Sequence, residues 1–264
     1  MQEHRSCYWS VLCSHGRLTT MSTVRGARER ARIEVTAAIK DEAKKQLVAE
    51  GAAKLSLRAV ARELGMASSA LYRYFPSRDE LLTALIVDAY DSVGETAETA
   101  HRAARAEATT HVARWIAVTR AVREWALAHP HEYALIYGSP VPGYTAPQAT
   151  IGPASRVGLV LISVVADAYR TDGLALPPLA DDLRAEADRM VAEFAPGLPP
   201  QAAPPLIAAW SQLFGLISFE VFGQFHRVVE ARDAFFREAV TELARTVGLH
   251  GGGAARRPVE TSGP

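Results

Sequence analysis

The chain has 264 residues, 48% of them apolar, enough for a substantial core in one or two domains. Its two cysteines, Cys7 and Cys13, both lie in the first 13 residues, which excludes a disulfide framework and fits a reducing cytoplasm. The net charge of zero hides an asymmetry, since residues 21–90 carry 12 Lys+Arg against 9 Asp+Glu and residues 91–264 carry 15 against 19, a mildly basic head on an acidic body.

Residues 1–20 mix His4, Arg5, Trp9, His15 and Arg17 and lack the sustained apolar core of a secretory signal. They read as a disordered extension or a misassigned start before Met21. No window has the roughly 18 uninterrupted apolar residues of a membrane span. The most apolar stretch, Val157 to Ala168, is too short and contains Asp167. No membrane partner is expected.

From Arg28 to Glu50, apolar residues recur at Ile33, Ala37, Ile39, Ala43, Leu47 and Val48, a helical period that Gly51 stops. A short helix is predicted over 57–64 with Ser56 as its N-cap and Gly65 as its stop. A third runs from about Ser68 to Tyr74 and closes at Pro76, with Ser68 or Ala67 as cap. A fourth opens at Ser77, with Asp79 and Glu80 in its first turn, and continues to about Ala100. Further helices are predicted at about 106–128, 132–137, 153–170, 181–194, 205–229 and 231–247, the last ended by Gly248. No period-two strand appears, so the fold class is all-α. The expected organisation is a three-helix DNA-binding domain over 21–80, a helical body over 81–250 and a disordered tail over 251–264.

Residues 51–78 read GAAKLSLRAVARELGMASSALYRYFPSR. Two short helices joined by a tight glycine turn match a helix-turn-helix. Val60 and Leu64 would pack the first helix inward and Leu71 would fill the junction. The second helix would offer Ser68, Ser69, Tyr72, Arg73 and Tyr74 outward. Small polar residues in its first turn would let the backbone approach base edges, and the tyrosine hydroxyls and Arg78 would grip phosphates. Ser56 reads mainly as a cap, Lys44 and Lys45 as a solvated face, and Arg25 and Arg28 as a possible arm along a groove.

The run Leu57-Arg58-Ala59-Val60-Ala61, then Gly65, then Leu71-Tyr72-Arg73-Tyr74-Phe75-Pro76-Ser77-Arg78-Asp79-Glu80-Leu81-Leu82 resembles the TetR/AcrR family of bacterial regulators over about residues 28–90. The family usually has histidine where this chain has Tyr74, and often valine then serine or threonine where it has Met66-Ala67. Carried over by position, the resemblance implies DNA contacts from Ser56, Arg58, Ala67, Ser68, Ser69, Tyr72, Arg73, Tyr74 and Arg78. It also implies a dimer on double-stranded operator DNA, repression as the mode of regulation, and a body that binds a small apolar or amphipathic effector.

In the body, His129 to Tyr144 and the pair Trp210 and Gly215 resemble one TetR subgroup with a Trp-x-x-x-x-Gly run in its penultimate helix. The effector pocket is expected at Trp115, Thr119, Trp125, Tyr133, Tyr137, Val157, Leu161, Val164 and Phe214, aromatic residues with a few polar tips. The dimer interface is expected at Gly215, Phe222, Gly223, Phe235, Phe236, Val240 and Leu243, because glycines inside a helix usually mark close helix approach. Glu220 lies in an apolar run and needs a partner such as Arg114 or Arg123, unless it faces the effector.

Other chemistry finds little support. His129 and His131 lack i, i+4 spacing and an accompanying ligand cluster, so no metal is expected. Gly138-Ser139-Pro140 lacks the spacing and the strand of a nucleophile elbow, and no glycine loop cradles a phosphate, so neither an enzyme nor a cofactor is expected. The competing reading is a constitutive dimeric or architectural DNA-binding protein whose body binds no ligand.

Overall fold

The computed structural model describes residues 18–250, with side chains from Gly26 onward. Most of the sequence expectations for 1–20, the Arg25 arm, and the whole of 251–264 lie outside the described side chains or residues. The chain is all-α: α1 (Leu18–Glu50), α2 (Leu57–Glu63), α3 (Ser68–Leu71), α4 (Arg78–Ala106), α5 (His111–Ala128), α6 (Pro130–Tyr137), α7 (Ile151–Arg170), α8 (Arg184–Phe194), α9 (Ala203–Val221) and α10 (Arg232–Thr246). No strand occurs among the described residues, only one isolated bridge between Leu174 and Leu249. Two compact units divide at Leu81/Leu82, so α4 begins in the first and continues through the second.

The first unit is built on α1, α2 and α3. Ile39, Ala43 and Leu47 of α1 are buried with Val60, Ala61 and Leu71, whereas Ile33 and Val48, also in the predicted apolar series, are exposed. An amphipathic series longer than its partners leaves its outer members in water. Arg28 is exposed and lies within α1, so its backbone is helix and not a free arm.

The second unit packs α5 against α7 and α10, and α10 against α9. Trp115, Val122, Tyr133, Leu161, Leu213 and Val240 belong to one continuous core. The α4–α5 break falls at 107–110, later than the predicted end near Ala100. The alanine-rich run through Ala106 has no breaker, and Thr110 supplies the next cap, its Oγ1 accepting from the Ala113 N–H at 3.2 Å.

The helix Ala203–Val221 is shorter than the predicted 205–229. Gly223, expected inside it, instead ends it at φ +79°, with its N–H donating to Glu220 O at 3.2 Å and the Gln224 N–H donating to Phe219 O at 2.8 Å. That is a Schellman ending, which glycine adopts at the least steric cost.

Two helical stretches, Gln148–Arg170 and Pro200–Val221, are long and apolar enough by length and composition to cross a membrane. Only 33% and 39% of their most apolar windows are buried. Their apolar surface therefore exceeds what the chain itself covers. Ile151, Leu159, Ile207, Trp210 and Phe219 all lie at least 40% exposed.

Candidate nucleic-acid interface and the cavity in the helical body

The turn between α2 and α3 is set by local chemistry. Ser56 caps α2, its Oγ accepting from the Ala59 N–H at 3.4 Å, while its own N–H donates to Gln46 Oε1 of α1 at 3.2 Å. Gly65 takes φ +62° and donates to Arg62 O at 3.1 Å, and the Met66 N–H reaches back to Ala61 O at 2.8 Å. This ends α2 and turns the chain within three residues.

The cap of α3 is Ala67, not Ser68, and Ala67 has no side chain to close it. Ser68 and Ser69 are the first two helical residues. Only Leu71 of this helix is buried; Tyr72 is 40% exposed, and Ala67, Ser68, Ser69 and Arg73 also face solvent. The helix is one turn long, and the predicted stretch through Tyr74 continues as turns, with Phe75 N–H donating to Leu71 O at 3.1 Å.

Tyr74 and Ser56 are half-buried, and Arg58 is exposed. Arg78 differs from its expected role as a phosphate grip. Its Nη2 donates to the carbonyls of Ala52 and Ala53 at 2.9 and 3.3 Å, and Nη1 to Asp79 at 3.3 Å. It ties the start of α4 to the turn before α2, which leaves it few donors for a ligand.

In the body, Glu220 meets Arg123, one of the two partners anticipated. Arg123 Nε and Nη2 donate to the two carboxylate oxygens at 2.6 and 2.7 Å, both side chains being less than 10% exposed. Nη1 also pairs with Asp233 at 2.8 Å, and the guanidinium lies 5.0 Å from the Phe236 ring centroid. These partners hold Arg123 charged, its pKa raised chiefly by the Glu220 hydrogen bonds. Arg114 pairs instead with Asp167 at 3.3 Å.

The residues expected to line an effector pocket mostly fill the core. Trp115, Thr119, Tyr133 and Val164 are fully buried, Thr119 Oγ1 donating to Trp115 O of its own helix at 3.0 Å. Trp125, Val157 and Phe214 are also buried, and Tyr137 packs its ring 4.2 Å from that of Phe214. Burial pushes the Tyr133 hydroxyl up to about 12, and it bonds Ser218 at 2.8 Å. Large aromatic side chains here supply volume rather than space.

Of the nine, only Leu161 borders the cavity that lies between α7, α8 and the start of α9, about 330 Å³ in volume. The rest of its wall includes Ala154, Gly158, Val191, Ala203 and Leu206. Sequence reasoning missed these because they are small or aliphatic; the signal was Ala154 and Gly158 at i, i+4 on α7. A Cβ added at Gly158 would meet nothing within 4 Å. Glycine there costs about 1 kcal/mol against alanine, with no steric demand to explain it.

The expected dimer residues divide into two groups. Gly215, Phe222, Gly223 and Phe235 are exposed. Phe236, Val240 and Leu243 are not, at 4%, 0% and 5%, because α10 turns that face inward onto α5 and α9. Gly215 meets no neighbour within 4 Å of an added Cβ, although it sits mid-helix. Phe219, 54% exposed, flanks it. Among the described residues, no cluster of three or more His, Cys, Asp or Glu is placed to hold a metal.

Comparison with known proteins agrees with the two-unit division. Residues 39–85 match the family described as bacterial regulatory proteins, tetR family, and residues 115–243 match the tetracyclin repressor-like C-terminal domain. The HTH-type transcriptional regulators Rv1816 of Mycobacterium tuberculosis and Mb1846 of Mycobacterium bovis are each 42% identical over 213 residues, covering 76% of this chain and 86% of theirs. The crystal structure of a regulatory protein, SCO4313, has a TM-score of 0.68 at 35% identity, covering 81% of this chain and 97% of that one. A tetR-family regulatory protein from Rhodococcus RHA1, at TM-score 0.55 and 14% identity over 81% of this chain and 97% of that one, shares the fold. These relatives are transcription regulators and not enzymes, and this chain belongs to the TetR family of bacterial transcriptional regulators.

Proposed function

We propose that the protein is a homodimeric repressor that binds a palindromic operator and leaves it when a small effector enters the helical body. One observation carries the reading: Ser68 and Ser69 on the one-turn α3, and Tyr72 and Arg73 in the turn directly after it, all face solvent, while α3 buries only Leu71. Polar and aromatic side chains with no packing purpose, on the second helix of a helix-turn-helix, suit the edges of bases in a major groove. Ser69, Tyr72 and Tyr74 are the foremost contacts in this reading; the exposed Arg58 and Arg73 would donate to phosphates, and Arg78 acts chiefly on the protein's own turn.

The exposed apolar surface of α9 supports the second copy. Gly215 weakens the helix yet approaches nothing within its own chain, and Phe219 and Phe222 stand beside it in water. A two-fold related α9 would cover these residues and bring two recognition helices onto one face of DNA. Covering by a partner subunit also accounts for the incompletely buried apolar helices without a membrane. Acting on DNA places the protein in the cytoplasm.

Selection from random duplex DNA tests the reading. A palindrome with half-sites separated by about 10 base pairs or a multiple is expected, bound by two chains as judged by sedimentation of the complex in the ultracentrifuge. A single non-repeated site bound by one chain would overturn it. An operator affinity indifferent to every effector tried would favour the constitutive reading.

A further inference from the structure

We propose that the cavity between α7, α8 and α9 is the effector site, and that it takes an uncharged hydrocarbon-bodied molecule bearing at most a neutral oxygen. The inference rests on the effector reading above. No wall residue of the 330 Å³ cavity is charged. Ser155 is its one hydroxyl, and that hydroxyl already donates to Gly152 O at 2.8 Å. Trp210, 43% exposed, brings one indole N–H, a donor suited to an alcohol, ketone or ester oxygen.

A carboxylate or ammonium placed here would lose its hydration and gain no counter-charge, so the wall selects against both. The buried charges of the body are already committed to one another: Arg123 to Glu220, Arg114 to Asp167. An aliphatic chain, by contrast, would replace water along the whole wall.

The space is open to solvent on one side, where Leu159, Phe194, Ile207 and Trp210 are each at least 40% exposed, and its apolar floor is formed by small residues. Here small residues from three successive elements face one volume: Ala154 and Gly158 from α7, Ala195 just after α8, and Ala203 from α9. Gly158 lines this space, and a Cβ added there would meet nothing within 4 Å, so a larger side chain has room to occupy it. The volume falls at the small end of the roughly 300–1,000 Å³ of ligand pockets.

The experiment is calorimetric titration of the full chain with 1-decanol, decanoate and decylammonium at pH 7, on the natural protein and on Gly158→Leu and Ala154→Leu. Both variants are first checked for helical content and for dimer mass. The natural protein is expected to bind 1-decanol at least tenfold more tightly than either charged analogue. Whichever variant keeps its fold and dimer mass is expected to lose that binding at least tenfold.

Equal affinity for decanoate or decylammonium would overturn the proposal, as would no binding of any of the three. So would undiminished 1-decanol binding by both variants. A folded variant that becomes monomeric would place the cavity at the subunit contact and overturn it as well. Operator release is read separately. Binding of 1-decanol without release leaves the site standing but counts against the effector reading. Release by a compound whose affinity neither substitution changes keeps that reading and overturns this site.

Discussion

The two units use their side chains in opposite ways. In the first, Ser68 and Ser69 of α3 and Tyr72 and Arg73 just after it are left facing water, and α3 buries only Leu71. In the second, the most buried charges are tied to one another, as in Arg123 with Glu220 at 2.6 Å. Substitutions in the first unit should therefore change binding and spare stability. Those in the body should change stability first.

Glu220→Ala gives the largest expected effect. It leaves the Arg123 guanidinium buried with only Asp233, whose own side chain is 92% exposed. Breaking one side of a buried pair costs about 3–5 kcal/mol. Chemical denaturation should register that loss, with a fall in Tm on the order of 10 °C for a chain of this size. Replacing both partners by apolar residues, Arg123→Met with Glu220→Leu, should recover most of it. A single variant within about 0.5 kcal/mol of the natural protein would show that the body tolerates an unpaired buried charge and that its polar residues do not set its stability.

Tyr72→Ala should act on the other side of the comparison. Its ring is 40% exposed, so unfolding should move little, while operator affinity should fall about ten- to a hundredfold, or ~1–3 kcal/mol. Arg73→Ala should weaken all sequences alike and lower the slope of log affinity against log salt by about 1. If either variant unfolds or loses its dimer before it loses DNA, the first unit is using that residue for packing.

What could be read from the sequence follows the same division. The helix-turn-helix is built from bonds between residues only a few positions apart, such as Gly65 to Arg62 and Ser56 to Ala59, so its residue order carried its geometry. Arg78 is the exception: its partners lie 25 and 26 residues away, and its place in the sequence suggests a phosphate grip. In the body, Arg123 and Glu220 are 97 residues apart, and two candidate arginines could not be separated without the packing of α5 on α9 and α10. The cavity between α7, α8 and α9 is hidden in the sequence for a related reason. Aromatic residues draw attention in a sequence, but Trp115 and Tyr133 occupy volume, and the opening comes from Gly158 and the alanines. The inward turn of Phe236, Val240 and Leu243 is likewise decided by neighbours that the helical period cannot name.

Acidification should produce the smallest effect, and it should belong to the body. The described part of the first unit contains no histidine, whereas His101 and His111 lie near one another's charged neighbours in the second. Burial pushes the His101 imidazole below its ordinary value, and Arg105 and Arg114 add to that against the pull of Asp167. Its Nδ1 is buried without a hydrogen-bond partner, and Ser163 Oγ lies 3.4 Å from Nε2. His111 is lowered in the same direction, again by burial first, then by Arg114 and His250, with Asp167 opposing. Because both folded values lie below the unfolded value of about 6.5, the unfolded chain binds more protons in the window between them. Stability is therefore undiminished above that window and falls as pH drops through it. Thermal melts between pH 7.5 and about 5 should show a declining Tm, a decline that His101→Asn with His111→Asn should flatten. An equal decline in the double variant would show that His101 and His111 do not carry the acid response.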